Sequence, residues 1–578
     1  MLFKYLTFQQ CFDHADNSKA LENECIKYDK IGCIGKFISL IMCSVGGHHH
    51  YLTAFGGIIA IPLILSQGLC LQHDSLTQSH LISTIFFVSG VCTLLQVTFG
   101  VRYGYWFCAP GSHIIFLDQH NIYNNIFILQ GSIMVGSLFQ VLVGFSGLIG
   151  LFMRFIGPLT IAPTISLIGL SLFDSAGMNA GHHWGISSMT TCLIVIFSQY
   201  LRHISIPFPK YSKAKKFHTS VFPQVLLGIT LSWLICYLLT IYNVLPSDPD
   251  KYGYLARTDI KGDVMGRAPW FRFPYPGQWG VPTVSLAGVF GILAGVISSM
   301  IESVGDYHAC ARLSGAPPPP RHAINRGIGV EGIGCLLAGA WGTGNGTTSY
   351  SENIGALGIT KVQKTFHLLQ VGSRMVIVCS GFVMIIMGMF GKIGAIFTTI
   401  PTPVIGGMFL VMFGVIMAAG VSNLQYTDMN SSRNIFIFGF SMFTGLAIPN
   451  WIMKNPTSIA TGVVELDHVL HVLLTTSMFV GGFFGFLLDN TIPGEFCIIA
   501  WNKAHQNESD NTLESDDVYG LPFGINSCLS SFTWTKYVPF CPSHKVSRQD
   551  DTPSSLDSLD TKTEPNKDDT HIIAGVAL

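Results

Sequence analysis

Up to fourteen apolar stretches follow one another along this chain, and that succession constrains its fold more than any other feature. They lie near 35–66, 79–101, 104–118, 126–153, 155–172, 185–204, 221–242, 281–303, 327–343, 347–360, 372–390, 393–420, 434–449 and 467–488. A helix needs about 20 predominantly apolar residues to cross a bilayer. Within lipid, only helices and closed barrels satisfy their backbone hydrogen bonds internally. Charged residues make up 11% of the 578, against roughly 25% in soluble domains. The reading is an all-α polytopic membrane protein. A net charge of −1 leaves no electrostatic footprint for nucleic acid. The 15 cysteines scatter without paired metal-type spacing and read as reduced, apolar residues. No His-Glu-x-x-His pattern is present, which speaks against a membrane metalloenzyme.

Loop charges set an expected orientation. Lys210, Lys213, Lys215 and Lys216 follow the sixth segment, and Arg312, Arg321 and Arg326 follow the eighth. Short Lys/Arg-rich loops stay cytosolic. The loop 243–280 between them then faces outside, and both termini face the cytosol. Three parts result: an N-terminal tail 1–30 without a signal-like apolar core, a transmembrane domain 31–500, and a polar tail 501–578 whose 549–570 stretch has a disordered composition. Ile156-Gly-Pro-Leu-Thr-Ile-Ala-Pro163 opens the fifth segment and Ile400-Pro-Thr-Pro-Val-Ile-Gly-Gly407 the twelfth. His50 precedes Pro158 by 108 residues and Glu302 precedes Pro401 by 99. These similar offsets suggest two seven-segment halves forming an inverted repeat.

One segment is interrupted. Gly342 to Lys361 is too rich in Gly, Ser, Thr and Asn for an ordinary spanning helix. Non-helical backbone at membrane depth is tolerated where protein buries it or a wet cavity borders it. Such breaks point to a transporter's binding site. Glu302 and Asp306 stand four residues apart at the end of an apolar run, on one helix face. An acid in mid-membrane costs about 2.5–3.5 kcal/mol on insertion scales, so it persists where it binds something. The alternative is that both merely cap the segment at the water interface. Glu352 lies where the broken segment resumes as a half-helix, which Ser349 or Ser351 can cap. The dipole there favours a carboxylate, whether for a ligand or for helix stability alone. His48, His49 and His50 adjoin in the first span. Neighbours on a helix point apart, so they make no metal site. Glu331, between glycines of the ninth segment, has no role legible from its surroundings.

Glu352-Asn353-Ile354-Gly355, four residues, then Thr360-Lys361 resembles the signature of the nucleobase–ascorbate transporter family: Gln, Glu or Pro, Asn-x-Gly, four residues, Thr, then Lys, Arg or Gly. The likeness covers roughly 40–490. Glu302 to Pro320, His322 to Gly327 and Asp428 to Asn434 look like the animal branch, which holds sodium-coupled vitamin C transporters and a sodium-dependent nucleobase transporter. The family's usual Gln-His matches at His50 and departs at His49. The resemblance implies fourteen segments in two inverted sevens. Segments 1–4 and 8–11 would form a core domain and 5–7 and 12–14 a gate domain. Short strands in segments three and ten would meet at the site, and homodimers are common.

It also implies substrate contacts from Glu302, Glu352, His50, Gly346, Asn353 and Ser351, and a sodium ion held by Asp306, Asn345 and Thr347. Glu or Gln precedes the Asn in the family's nucleobase branches, and Pro in its ascorbate branch. A carboxylate accepts two ring N–H bonds from a neutral base, whereas it repels anionic ascorbate. The expectation is a plasma-membrane, sodium-coupled nucleobase symporter, with ascorbate symport and a non-transporting paralogue as alternatives. Two departures stand out: Tyr103 to Phe116 differs from the family's third segment, and Gln363 to Val371 is interposed after the signature.

Overall fold

The computed structural model describes residues 74–101, 109–111, 122–152, 155–201, 206–207, 218–219, 224–314, 318–350, 374–493, 519–521 and 538–541, with parts of 58–71. His50, Ser351, Glu352, Asn353 and the 363–371 insertion lie outside the described residues. The principal elements are α1 (Ser75–Phe99), β1 (Ala109–Gly111), α2 (Ile122–Ser146), α3 (Pro158–Ser171), α4 (Phe173–Gly181), α5 (Trp184–Val195), α6 (Gln224–Ile241), α7 (Leu286–Ser314), α8 (Arg321–Trp341), β2 (Gly346–Thr348), α9 (Arg374–Met389), α10 (Gly391–Thr398), α11 (Thr402–Ser422), α12 (Ser432–Lys454), α13 (Val464–Thr475) and α14 (Ser477–Thr491). The protein is a helical, multi-span membrane protein. Among the described residues, six helices are long and apolar enough to cross a membrane, or up to eight spans if each of two bent pairs counts as one.

Local chemistry explains the ends. Asp74 Oδ1 accepts the Thr77 N–H at 3.1 Å and caps α1. Pro158 opens α3, and Pro401 followed by Pro403 opens α11. A fixed φ and a missing N–H suit a first turn, where that N–H has no partner inside the helix.

Two expected segments turn out to be broken. Residues 393–420 divide into α10 and α11 at Thr399–Pro401, because proline cannot donate and also pushes the residue before it out of helical geometry. α9 and α10 meet at 80°, and α13 and α14 at 81°. At the second bend the Thr475 and Thr476 hydroxyls donate to the His471 and Val472 carbonyls, both at 2.7 Å, and Thr476 is extended. Such local bonds compete with the helix ladder.

The helices pack in two groups. In one, α8 lies along α2 and α1, and α1 along α9 and α10. In the other, α11 lies against α3, α4 and α5, and α14 against α3 and α12. α7 touches α2 of the first group and α13 and α3 of the second. Glycine permits backbone contact in both groups. A Cβ on Gly144 of α2 would stand 2.3 Å from the Gly329 nitrogen of α8. One on Gly420 of α11 would stand 2.4 Å from the Ser166 nitrogen of α3. Small residues at such crossings are how helices associate in lipid, where the hydrophobic effect between them is lost.

The tail returns to this body. Tyr519 is fully buried, and its carbonyl accepts from Arg326 Nη2 at 2.6 Å. Asn325 Nδ2 donates to the Pro539 carbonyl at 2.9 Å. The tail's described residues therefore dock on the start of α8.

Candidate functional site

After Trp341 the chain leaves α8 through Gly342, whose φ of 70° is left-handed, and bends again at Gly344, at φ 77°, before entering β2. β2 pairs antiparallel with β1, Ala109 opposite Thr348 and Gly111 opposite Gly346. Strands are thus present in segments three and ten, as expected, despite the altered sequence of the former. Pro110 in β1 lacks a donor, which suits a short, isolated ladder.

Side chains alternate along β2. Thr347 turns to α8: its carbonyl accepts from the Cys335 thiol at 3.0 Å, and its hydroxyl lies 3.5 Å from that sulfur. Thr348 turns the other way, its hydroxyl 3.4 Å from Ser303 Oγ of α7. The next residue, Ser349, donates to Asp306 Oδ2 and lies 3.3 Å from Ser303 Oγ.

Ser303 connects two carboxylates. Its hydroxyl donates to Glu331 Oε2 at 2.8 Å, and Gln140 Nε2 of α2 donates to Glu331 Oε1 at 3.1 Å. Glu331 is 1% exposed and Asp306 8%. The result is a chain of polar groups, Gln140, Glu331, Ser303, Ser349 and Asp306, tying α2, α8, α7 and the residue after β2 together. Buried carboxylates bonded this way keep fixed positions. Hydroxyls between them are donors and acceptors that a small polar solute or a cation can engage.

Glu302 and Asp306 sit well inside α7, which continues to Ser314, so neither caps the helix. Glu302 is half-buried and Asp306 buried. Gly346 opens β2, and its carbonyl accepts from Asn345 Nδ2 at 2.7 Å. Asn345 is 1% exposed, and its Oδ1 has no partner among the described residues. Thr347, expected beside Asp306 as a cation ligand, presents its hydroxyl to Cys335 instead, and the hydroxyl that reaches Asp306 is Ser349's.

Sequence reasoning left Glu331 without a role and missed Ser303 and Gln140. An acid inside an apolar segment is a signal in itself. Its partners lie on other helices, at sequence distances of 28 and 191 residues, where no local pattern reaches.

Comparison with known proteins adds to this geometry. A profile described as Permease family matches residues 42–454. The chain is 46% identical over 573 residues to solute carrier family 23 member 1 of Rattus norvegicus, covering 93% of each. It is 47% identical over 538 residues to solute carrier family 23 member 2 of Homo sapiens, covering 87% of this chain and 80% of that one. Nucleobase-ascorbate transporter 1 of Arabidopsis thaliana is 34% identical over 501 residues, covering 82% and 92%. Among solved structures, the transmembrane domain of the cyanobacterial bicarbonate transporter BicA aligns over 74% of this chain and 96% of its own, at 12% identity and a TM-score of 0.38.

Proposed function

Because the chain belongs to the Permease family, among the solute carrier family 23 and nucleobase-ascorbate transporters, and is a membrane transporter and not an enzyme, we propose that it carries neutral nucleobases of the uracil, xanthine and hypoxanthine class by sodium-coupled symport. Glu352 carries the choice of substrate. It follows Ser349 by three residues and stands first in the signature. A carboxylate there accepts ring N–H bonds from a neutral base and repels an anion. Glu302 supplies a second carboxylate from α7.

The sodium ion is assigned to Asp306, Asn345 Oδ1 and nearby hydroxyl and carbonyl oxygens, the ligands that hard cations take. Ser349 replaces Thr347 as the hydroxyl contributor, on the strength of its bond to Asp306. On the expected division α1, α2, α7, α8 and α9 belong to the core and α3 to α6 with α11 to α14 to the gate, while α10, at the start of the expected twelfth segment, packs on α1. The protein is assigned to the plasma membrane with both termini cytosolic, as a homodimer.

The test is uptake of radiolabelled uracil, xanthine and ascorbate by the purified full chain in liposomes, with and without sodium. Saturable, sodium-stimulated nucleobase uptake is expected, lost in Glu352→Pro. Uptake of ascorbate alone would transfer the assignment to that substrate. No uptake of any of the three would leave a non-transporting relative.

A further inference from the structure

The connector between α6 and α7 is far longer than a link needs, and two parts of it are attached to different helix groups. Its first part rests on α5, α6 and α11. Tyr252 Oη accepts the Trp184 N–H at 2.8 Å, and its ring stacks on His183 at 5.4 Å. The Thr258 N–H donates to Thr240 Oγ1 at 3.3 Å, and the turn Tyr254–Ala256 packs on α11.

Its second part closes over the end of α8. A helix leaves its last carbonyls without partners. Here the connector supplies one to each of three consecutive carbonyls: the Gly277 N–H to Ala340 at 2.8 Å, Gln278 Nε2 to Trp341 at 2.7 Å, and Trp279 Nε1 to Gly342 at 2.8 Å. In return, Trp341 Nε1 donates to the Pro274 carbonyl at 3.1 Å. Arg272 braces the arrangement. Its guanidinium donates to Gln278 Oε1 and, at 3.1 Å, to the His80 carbonyl of α1, and its own N–H donates to the Met389 carbonyl of α9 at 2.8 Å.

Gly342 is the residue at which α8 turns toward β2. A Cβ there would stand 2.0 Å from Gln130 Nε2 and 2.2 Å from Trp279 Cδ1, so the turn is held from both sides. From Gly342 the chain reaches β2 at Gly346 and Asp306's partner at Ser349. Whatever fixes the three carbonyls fixes where those groups stand.

We infer that Arg272, Gln278 and Trp279 are positioning residues for the site strand: a clamp, carried on a connector rooted in the opposite helix group, that sets the place of β2 and Ser349 and so the affinity for whatever the site binds. The inference rests on β2 belonging to the substrate site, and it holds for any small solute carried there.

The test is hydrogen exchange of the amides of 343–349 in the full chain, read by mass spectrometry, beside the KM and maximal rate for whichever of uracil, xanthine and ascorbate the wild type takes up. Trp279→Phe keeps the ring and removes one donor; Gln278→Leu removes the other. Trp279→Phe is expected to speed exchange in 343–349 about tenfold, from loss of one bond at a local opening, and Gln278→Leu, which also loses its bonds to Thr84 and Arg272, by at least as much, with unchanged exchange in α11 and only a small drop in melting temperature. KM should rise several-fold with the maximal rate held. Tyr252→Phe, at the other foot, should leave 343–349 as in wild type. Unchanged exchange at 343–349 in both clamp variants overturns the inference, as does an increase spread evenly over the molecule. If the clamp variants behave as expected while no nucleobase is taken up, the clamp stands and the substrate assignment falls.

Discussion

Ser303 of α7 donates to Glu331 of α8 at 2.8 Å while lying 3.3 Å from Ser349, the residue that donates to Asp306. One hydroxyl therefore sits between two buried carboxylates from different helices. Through Ser349, this hydroxyl links Asp306 to Glu331 and so to α8 and α2.

Glu302 is expected to contribute a charged bond to the substrate. Losing such a bond in a dry site weakens affinity by roughly 1.5–3 kcal/mol, or about tenfold to a hundredfold. Concentration dependence of uptake in Glu302→Ala, corrected for surface amount, reads this out. Wild-type affinity would return Glu302 to a purely structural role.

Asp306→Asn should shift the sodium activation curve of uptake to higher concentration. Substrate raises sodium affinity by the factor with which sodium raises substrate affinity, so both half-saturation constants should move together. An unshifted curve clears Asp306, and uptake driven by a pH gradient without sodium removes the sodium claim.

Removing the Glu331 side chain strands two donors. Glu331→Ala leaves the Gln140 amide and the Ser303 hydroxyl without this acceptor, at about 1–3 kcal/mol per buried group. A lower melting temperature in detergent is expected, with reduced uptake. Glu331→Gln keeps one carbonyl acceptor and should recover much of the stability. Equal melting temperatures for wild type and Glu331→Ala would contradict the bonded network.

Arg433 and Asp489 join α12 to α14 at 3.2 Å, with side chains 11% and 2% exposed. Breaking a buried pair from one side costs about 3–5 kcal/mol, since a charge is left without its partner. Arg433→Met should therefore destabilise strongly, and Arg433→Met with Asp489→Leu should regain most of the loss. A double variant no more stable than the single one would show that the pair is not coupled.

Sequence alone settled what depends on composition and on neighbours along the chain. Low charge and repeated apolar stretches made a helical, multi-span membrane protein unavoidable. Gly342 to Lys361 could be seen to be no ordinary spanning helix, since its glycines and hydroxyl residues offer the backbone other partners, and its described part, 342–350, is non-helical. The i, i+4 spacing of Glu302 and Asp306 placed both on one face. Tertiary structure decided what depends on elements far apart. The ladder with β1 turned Thr347 to α8 and Thr348 to α7, and Ser349, past the end of that ladder and free of its alternation, carries the hydroxyl that meets Asp306. Glu331 acquired its bonds only when α2 and α7 came alongside α8. The connector 243–280 read as the longest loop, rich in Pro, Asp and aromatics. Its order comes from carbonyls of α8 that a helix cannot satisfy by itself, and no local sequence pattern records which distant segment will supply the donors.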